Sequence, residues 1–454
     1  MQADIVILAA GQGSRMKSKL PKVLHHLAGK PLVQHVIDQA ATIAGARMHV
    51  VVGHGAEQVE HALAGQGAAF YLQAEQLGTG HAVAQAVPGL ETSGVTLILY
   101  GDVPLTPADV MQQMVQIASR QHLALLTVEL EDPTGYGRIE RNAVKDVVGI
   151  VEHKDASVEQ LRITEVNTGI LALPTSLLVE WLPRLSSNNA QGEYYLTDLI
   201  AMAAEAGVSI QTLNPESEFE VQGVNNRRQL AELERWYQLQ QAGRLMDAGV
   251  TLADPARIDI RGKLTTGTDC IFDINLIFEG QVEIGSNVRI GPNTVIKNSK
   301  IADGVEILAN SHIEGASIAA NASIGPYARL RAGTELAEST KVGNFVEIKK
   351  AIVGQGSKVN HLSYIGDAVL GADVNVGAGT ITCNYDGVNK SLTEIGDNAF
   401  IGSNSSLVAP VKVGAQATIG AGSTITREVA EAELAVARGK QRNIENWTRP
   451  VKKS

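Results

Sequence analysis

A glycine-containing segment near the N-terminus carries residues that could bind a phosphate. The apolar run at residues 5–8 is followed by Gly11 and Gly13 and then by a group of cations. The cations are Arg15, Lys17, Lys19 and Lys22. Backbone N–H groups of a glycine-rich turn before a helix suit a polyphosphate, and Arg15 and Lys22 could stabilise the charge on an attacked phosphorus and a leaving pyrophosphate. The alternative is a plain strand-to-helix turn.

Two common phosphate motifs do not describe this segment. A P-loop requires G-x-x-x-x-G-K-[ST], but Gly13 is followed by Ser14 and Arg15. A dinucleotide-binding fingerprint requires a third glycine and an acid after the second strand. Met16 occupies the place of that glycine, and residues 53–54 are Gly-His where the acid should stand. The segment therefore predicts a different class of nucleotide site.

A carboxylate follows another apolar run. Asp102 comes directly after Leu97–Tyr100 and Gly101, and carboxylate oxygens are ligands that Mg²⁺ prefers. An ion held there would bridge the phosphates of a nucleotide. Asp102 could instead be a turn residue, which the nearby Pro104 favours.

Apolar runs alternate with helical patterns in residues 1–226, and this alternation predicts the elements that position these side chains. Predicted helices include Leu32–Ile43 and Gly80–Ala86. The predicted strands are Ile5–Ala9, His49–Val52, Ala69–Gln73, Thr96–Tyr100 and Leu123–Leu130. Such alternation is typical of an α/β, Rossmann-like fold with a mostly parallel sheet covered on both faces. Ligands of these sheets bind at the carboxyl ends of the strands, where the segment after Ala10 and Asp102 both fall.

Residues 227–248 predict a linker helix. Leu230, Leu233, Tyr237, Leu245 and Met246 recur at helical spacing among charged and amide residues. A rise of ~1.5 Å per residue makes this helix a rod of roughly 30 Å. We therefore expect one domain at residues 1–226 and a second at residues 249–454.

Aliphatic residues recur every six positions in the second half of the chain, often followed by glycine. The series are Ile284, Ile290 and Ile296; Ile301, Ile307 and Ile313; Ile324, Leu330, Leu336, Val342 and Ile348; and Ile395, Ile401, Leu407, Val413, Ile419 and Ile425. This hexapeptide repeat predicts a left-handed parallel β-helix with one continuous core, ending in a basic tail at Arg449–Lys453. The register breaks after Ile381, so Cys383–Gly387 should protrude as a loop, and such insertions often build binding sites.

A histidine within the repeat region could act as a base. β-Helices of this kind often carry acyl transferase sites, where an amine attacks a thioester. A protonated amine cannot attack, and histidine is the side chain whose ordinary pKa suits the removal of that proton. His361 in "NHLSYIGDA" is the candidate. A hydrogen-bonded structural histidine is the alternative.

Composition limits the class of protein. A chain of 454 residues is expected to form two or three domains. Its net charge of −10 argues against nucleic acid as a main partner. The two cysteines suggest no disulfide framework, and the N-terminal apolar run is too short for a signal peptide or a membrane span. We expect a cytoplasmic protein.

Longer stretches resemble one family over essentially the whole chain. They include "LAAGQGSRMKSKLPK" (8–22), "QAEQLGTGHA" (73–82), "LYGDVPL" (99–105), "GNFVEIKKA" (343–351) and "NVGAGTITCNYDG" (375–387). The family is that of the bacterial bifunctional N-acetylglucosamine-1-phosphate uridyltransferases and glucosamine-1-phosphate N-acetyltransferases. The first motif alone marks nucleotidyltransferases in general, whereas the full set is highly specific.

The resemblance implies site residues in both halves. In the first, Lys22 and Arg15 would act in catalysis, and Asp102 with Asn225 would hold Mg²⁺. UTP and UDP-N-acetylglucosamine would contact Leu8, Ala9, Ala10, Gly11, Lys22, Gln73, Gly78, Thr79, Tyr100, Gly101, Asp102, Gly137, Glu152, Asn167 and Asn225. In the second, His361 would be the base. The sugar phosphate would contact Arg331, Lys349, Tyr364 and Asn375, and acetyl-coenzyme A would contact Ala378, Asn384, Tyr385, Ser403, Ala421 and Arg438.

The resemblance also implies the activity and the assembly. The enzyme would acetylate glucosamine 1-phosphate with acetyl-coenzyme A and couple the product to UTP, giving UDP-N-acetylglucosamine for cell-wall and lipopolysaccharide synthesis. It would form a homotrimer through the β-helix. Two alternatives remain: a hexose-1-phosphate nucleotidyltransferase whose β-helix is only structural, and an inactive scaffold of the same architecture. The first would not need His361, and the second would be expected to have lost Lys22, Asp102 or His361.

Overall fold

The computed structural model describes residues 2–452, so Lys453 of the predicted basic tail lies outside the described residues. The chain divides into a first compact unit that ends at Tyr237 and a second that begins at Gln238. No helix within residues 2–452 is long and apolar enough to cross a membrane.

The first unit alternates strands and helices, as the sequence predicts, with ends that differ from the prediction by up to three residues. Its strands are β1 (Ala3–Ala9), β2 (His26–Leu27), β3 (Lys30–Pro31), β4 (Ala46–Val52), β5 (Ala69–Leu72), β6 (Val95–Tyr100), β7 (Leu123–Glu129), β8 (Arg138–Arg141), β9 (Val147–Val151), β10 (Glu165–Pro174) and β11 (Ile210–Leu213). Its helices are α1 (Leu32–Ala40), α2 (Ala56–Ala62), α3 (Thr79–Ala86), α4 (Ala108–Ala118), α5 (Thr175–Trp181) and α6 (Asp198–Glu205), followed by α7 (Arg227–Asp247).

The main sheet has the strand order β11-β7-β10-β6-β1-β4-β5. The pairs β1–β4, β1–β6, β4–β5 and β11–β7 are parallel, whereas β10 runs antiparallel to both of its neighbours. The hairpin β8–β9 joins the sheet through β10. Four of the six pairings along the main strand order are parallel, as the sequence predicts, and the antiparallel pairings of this sheet all involve β10 or the β8–β9 hairpin.

Both faces of this sheet are covered. Ile5 and Ile7 of β1 pack into one hydrophobic cluster, whereas Val6 and Leu8 pack into another. Successive side chains of a strand point to opposite faces, so the continuous apolar run at residues 5–8 serves both layers. This arrangement holds the carboxyl ends of β1 and β6 rigidly side by side.

Helix α7 begins and ends close to the predicted bounds, and its two halves pack in different cores. Leu233 is fully buried in a cluster with Met16, Leu27 and Leu32 of the first unit. In the second unit, the Gln238 side chain donates to the carbonyl of Ile260 (2.9 Å) and accepts from its N–H (2.7 Å). Farther along, Ala242 and Leu245 join the core of the repeat region.

The second unit is a parallel β-helix. Its strands are β12 (Thr251–Leu252), β13 (Ile258–Thr266), β14 (Ile271–Phe272), β15 (Leu276–Ile284), β16 (Arg289–Ile290), β17 (Val295–Ile301), β18 (Glu306–Ile307), β19 (His312–Glu314), β20 (Ala316–Ile318), β21 (Ser323–Ile324), β22 (Arg329–Leu330), β23 (Thr334–Leu336), β24 (Lys341–Asn344), β25 (Glu347–Val353), β26 (Lys358–His361), β27 (Tyr364–Leu370), β28 (Asn375–Val376), β29 (Ile381–Cys383), β30 (Thr393–Ile395), β31 (Phe400–Ile401), β32 (Ser406–Val408), β33 (Val411–Val413), β34 (Thr418–Ile419), β35 (Thr424–Ile425) and β36 (Leu434–Ala435). One face runs β12-β14-β16-β18-β21-β24-β26-β28-β31-β34-β36.

The hexapeptide series explains this architecture. Every aliphatic residue of the predicted series is buried in one continuous core. Equivalent residues of adjacent coils pair in parallel, for example Val342 with Val359 and Ile348 with Ile365. The prediction of a parallel β-helix is confirmed.

The protruding loop begins one residue later than predicted. Cys383 is the last residue of β29 and pairs with Val408 of the next coil. Its backbone carbonyl also accepts from Ala409 N–H (3.1 Å). The coil is therefore interrupted only from Asn384 to Leu392, because Thr393 begins β30. The sequence pattern missed this position because a threonine, Thr382, fills the buried place that Leu407 fills in the next coil.

Candidate functional sites

A cleft of about 350 Å³ lies at the carboxyl ends of β1 and β6. Most of the residues expected at a nucleotide line it, namely Leu8, Ala9, Ala10, Gly11, Lys22, Gln73, Gly78, Thr79, Tyr100 and Asp102. Gly101, Gly137, Glu152, Asn167 and Asn225 are not part of this lining. The ends of the two strands are joined by the hydrogen bond from Gly101 N–H to the carbonyl of Leu8 (2.9 Å).

The glycine-containing segment folds tightly over Lys22. Gly13 has a φ of +62°, and a Cβ at this position would lie 2.6 Å from Cβ of Lys22. Only glycine satisfies both the backbone conformation and this close approach. The segment then forms a short 3₁₀ helix at Ser14–Met16, which carries Arg15. Glycine at residue 13 therefore allows Arg15 and Lys22 to reach the same place.

Four of the predicted residues converge although they are far apart in sequence. The ammonium of Lys22 forms an ion pair with Asp102 and also donates to Oδ1 of Asn225 (3.1 Å). Arg15 donates to the same Oδ1 (3.0 Å). The backbone N–H of Val224 donates to the carbonyl of Asp102 (2.9 Å), which brings Asn225 beside Asp102. The carboxylate of Asp102 and the amide oxygen of Asn225 thus lie close together, and both contact cationic side chains.

The opposite wall of the cleft is built by Gln73 and the start of α3. Gln73 Nε2 donates to the carbonyl of Gly78 (3.1 Å), and its backbone N–H continues the sheet by donating to Val52 (2.8 Å). The hydroxyl of Thr79 accepts from Leu196 N–H (3.1 Å). These contacts hold amide and hydroxyl groups in place, and such groups can read the polar edge of a base.

A less charged wall adjoins the cleft. Asn167 N–H donates to the carbonyl of Gly137 (2.9 Å), and a Cβ at Gly137 would lie 3.4 Å from both carboxylate oxygens of Glu152. Burial raises the pKa of Glu152, although Thr197 donates to its Oε1 (3.1 Å) and opposes that rise. Burial likewise raises the pKa of the Tyr100 phenol. This wall offers hydrogen-bonding groups suited to an uncharged, hydroxyl-rich ligand such as a sugar ring.

Sequence reasoning missed some residues of the cleft. Gln76 and Glu193 line it, together with the smaller side chains of Val23 and Ala82. Gln76 lies within the quoted stretch 73–82 and accepts from Gln12 Nε2 (3.3 Å), so that stretch contained a signal for it. Glu193 lies in a loop with no recognisable pattern.

In the second unit, His361 is exposed on the surface of the β-helix. Its Nδ1 lies 2.8 Å from Oδ1 of Asn344, the equivalent residue of the preceding coil. An amide oxygen only accepts, so this contact assigns a proton to Nδ1, and in the neutral imidazole the lone pair of Nε2 is free. His361 therefore has the tautomer required of a base. Asn344 lies in the quoted stretch 343–351, but sequence reasoning did not single it out.

Coenzyme-contact residues predicted by the resemblance stack below His361 in one column. Gly379 N–H donates to His361, Asn404 N–H to Ala378, and Gly422 N–H to Ser403, each through the carbonyl oxygen. Arg438 then donates to the carbonyl of Ala421 (2.7 Å). Adjacent coils are ~4.8 Å apart, so this column offers an extended molecule a continuous path to His361.

Cations gather around Lys349 of β25. Lys349 lies near Lys390 of the protruding loop, and this neighbour is the main cause that lowers the pKa of the Lys349 ammonium, with smaller contributions from desolvation and from Arg331. Arg331 donates to Glu347 (2.8 Å). Mutual repulsion of this kind suits a site for an anion such as a phosphate. Lys390 was missed because it is one of several solvent-facing lysines in the sequence.

The remaining predicted residues lie on later coils and in the protruding loop. Tyr364 and Asn375 lie on β27 and β28. Asn384 is buried and donates to Asp367, whereas Tyr385 is exposed and bridges to Lys390 across the loop. The carboxylate of Asp386 accepts from the N–H groups of Val388 (2.8 Å) and Asn389 (2.6 Å), which gives the loop a defined turn.

Comparisons with known proteins agree with this division. Residues 5–161 match the MobA-like NTP transferase domain family, and residues 392–427 match the bacterial transferase hexapeptide family. A protein of Marinobacter nauticus named bifunctional protein GlmU is 64% identical over 448 residues, which cover 99% of each chain. Proteins of the same name are 63% identical in Cellvibrio japonicus, over 99% of this chain and all of the relative, and 58% identical in Pseudomonas entomophila, over all of this chain and 99% of the relative.

Proposed function

The chain belongs to the family of bifunctional GlmU proteins, and we propose that it makes UDP-N-acetylglucosamine in two reactions. The first transfers an acetyl group from acetyl-coenzyme A to the amine of glucosamine 1-phosphate. The second couples N-acetylglucosamine 1-phosphate to UTP and releases pyrophosphate. We assign acetyl transfer to the β-helix and uridyl transfer to the α/β unit, and we propose that the free cysteines Cys270 and Cys383 reflect a reducing cytoplasm.

The convergence of Arg15, Lys22, Asp102 and Asn225 carries the assignment of uridyl transfer. A phosphate oxygen of the sugar phosphate attacks the α-phosphorus of UTP, and the bond from that phosphorus to the β-phosphate oxygen breaks. Phosphoryl-type transfer needs positioning and charge more than covalent participation by the protein. Arg15 and Lys22 stabilise the charge that develops on the phosphates, and no side chain acts as a nucleophile.

Asp102 and Asn225 fit a divalent cation. Their side-chain oxygens already contact one common cation, the Lys22 ammonium, and Mg²⁺ is commonly held by one or two such oxygens together with substrate phosphates. Bound there, Mg²⁺ would supply neutralising charge for the triphosphate. Gln73 and Thr79 would contact the uracil, and Gly137, Glu152 and Asn167 would contact the sugar.

The tautomer of His361 carries the assignment of acetyl transfer. The amine nitrogen of glucosamine 1-phosphate forms a bond to the thioester carbonyl carbon, and the carbon–sulfur bond of acetyl-coenzyme A breaks. His361 Nε2 takes the proton that the amine loses and then passes it to the departing thiolate. Arg331 and Lys349 hold the phosphate of the sugar, while Asn344 keeps the imidazole oriented.

We propose a homotrimer that packs through a stripe beside His361. The stripe consists of Tyr327, Phe345 and Leu362, which are 52%, 56% and 63% exposed. They occupy equivalent corners of successive coils with φ of 56°, 54° and 51°, and the two aromatic rings stack with centroids 5.2 Å apart. Bulky residues are rare in this conformation, and exposed apolar stripes mark interfaces.

Two product assays test the assignment. Free thiol should appear from acetyl-coenzyme A only when glucosamine 1-phosphate is present, and pyrophosphate should appear from UTP only when N-acetylglucosamine 1-phosphate is present. If thiol release does not depend on glucosamine 1-phosphate, the assignment of acetyl transfer is wrong and the β-helix has only a structural role. Phe345→Asp should dissociate the trimer in sedimentation analysis and reduce acetyl transfer, whereas a variant that stays associated contradicts the proposed interface.

A further inference from the structure

The oxygen of Asn225 is fully engaged by cations of the protein itself. Oδ1 accepts from Arg15 (3.0 Å) and from Lys22 (3.1 Å). A side-chain amide oxygen has two lone pairs, and these two donors use both of them. A divalent ion that binds Asn225 through this oxygen must therefore displace Arg15 or Lys22.

Asp102 is engaged through one of its two carboxylate oxygens, Oδ2. Its carboxylate pairs with the Lys22 ammonium, and the side chains of the pair are only 13% and 15% exposed. Water screens such a pair less than it screens a surface pair. Two cationic side chains share one carboxylate and one neutral amide, so this group of four side chains carries a net positive charge. A bare divalent ion is repelled by that charge, whereas a metal–triphosphate complex, which keeps net negative charge, is attracted.

We propose that Arg15 and Lys22 occupy the oxygens of the metal ligands Asp102 and Asn225. The site therefore takes up its divalent cation only together with a triphosphate. This inference rests on the proposed uridyl-transfer function. When the complex enters, Lys22 and Arg15 leave Asp102 and Asn225 and move to phosphate oxygens, while the ion takes the oxygens they release. The same cations thus set the order of binding and then stabilise the bound nucleotide.

The exchange makes metal and nucleotide binding cooperative. The metal displaces Lys22 and Arg15 from Asp102 and Asn225, and this frees the two cations to bind phosphate oxygens. The phosphates in turn hold these cations away from the metal ligands, so each ligand favours binding of the other. Coupling between two bound ligands is reciprocal and typically amounts to roughly 5–150-fold in affinity. Lys22 contacts side-chain oxygens of both Asp102 and Asn225, whereas Arg15 contacts only that of Asn225. Lys22 should therefore contribute the larger part of the coupling between metal and nucleotide binding.

Direct measurement of Mn²⁺ binding to the full-length protein tests this inference. The protein would be titrated with MnCl₂ alone and with MnCl₂ plus UTP, and free Mn²⁺ would be followed by electron paramagnetic resonance. A protein-free titration of MnCl₂ with UTP is subtracted, so that only Mn²⁺ bound to the protein is counted. Wild type should bind Mn²⁺ weakly alone and roughly 5–150-fold more tightly with UTP. Lys22→Met, which keeps the packed aliphatic stem, should bind Mn²⁺ alone more tightly than wild type and bind UTP more weakly. Arg15→Met should show a smaller change of the same sign.

Lys19→Met provides the matched control, because Lys19 is an exposed cation of the same segment. It should leave both affinities unchanged, and thermal unfolding of each variant reports whether the first unit is folded. If Lys22→Met binds Mn²⁺ alone no more tightly than wild type, or if UTP does not strengthen Mn²⁺ binding to wild type, the inference is wrong. If Asp102→Asn keeps the UTP-dependent Mn²⁺ signal, the metal assignment within the proposed function fails as well.

Discussion

The two candidate sites differ in how their residues are spaced along the chain. In the first unit, Arg15, Asp102 and Asn225 come from widely separated segments and meet at one edge of a sheet. In the β-helix, Asn344 and His361 lie one coil apart, as do Ser403 and the segment Ala421–Gly422. The α/β unit brings together residues that are distant in sequence, whereas the β-helix aligns residues that are one coil apart. The first can bury and pair its charges, whereas the second presents its groups on an open surface.

The difference predicts that damage to one site leaves the other intact. Asp102→Ala should reduce uridyl transfer by about 10³–10⁵-fold, the range seen when a group that organises charge on a transferring phosphate is lost. Acetyl transfer by the same protein should stay near wild type. Pyrophosphate and thiol release measured on one preparation check this. Equal loss of both activities would mean that Asp102 supports folding rather than the uridyl-transfer site.

His361→Ala should have the converse effect. General-base catalysis typically contributes ~10²–10⁴-fold, so acetyl transfer should fall by about that factor while uridyl transfer from supplied N-acetylglucosamine 1-phosphate persists. The wild-type acetyl-transfer rate should also fall on acidification, because an imidazolium cannot accept a proton. A structural histidine predicts a lower melting temperature with nearly unchanged activity per folded molecule. Thiol release and thermal unfolding of the variant separate the two roles.

The contrast also explains what could be predicted from the sequence. A six-residue period assigns the buried positions of the β-helix directly, and every predicted aliphatic residue is in the core. Loop residues carry no period, so the sequence predicts that the insertion starts at Cys383, whereas it starts at Asn384 in the structure. In the α/β unit, apolar runs located the strands and the edge where ligands bind. Asn225 depended on the resemblance alone, because no local pattern links it to Asp102.

Residues that act through a neighbour were the hardest to find. Asn344 touches the imidazole of His361, and Lys390 perturbs Lys349 from the protruding loop. Neither has a type or spacing that distinguishes it from ordinary polar residues of the repeat. Their roles follow from parallel register and loop geometry, which the sequence pattern describes only for the buried positions.

Helix α7 allows the stability of the first unit to be tested apart from the β-helix. A fragment of residues 1–237 should be folded and retain uridyl transfer, whereas a fragment of residues 1–226 loses Leu233 from its cluster with Met16, Leu27 and Leu32. Removal of a buried leucine costs about 2–5 kcal/mol, so the shorter fragment should unfold at lower urea concentration. Equal urea midpoints would show that α7 does not stabilise the first unit. A folded but inactive longer fragment would contradict the assignment of uridyl transfer.

The smallest effect concerns Asn344, and it tests whether the open site depends on orientation. Asn344→Ala removes the acceptor for Nδ1–H of His361. A neutral hydrogen bond contributes about 1 kcal/mol, which corresponds to roughly a fivefold loss in the acetyl-transfer rate. Asn344→Asp should restore the acceptor and add a negative charge that favours the imidazolium. The acid limb of its pH–rate profile should therefore move to higher pH, whereas in Asn344→Ala only the maximum falls. Identical profiles for wild type and Asn344→Asp would show that Asn344 does not act through His361, and uridyl transfer serves as the control because its residues lie in the first unit.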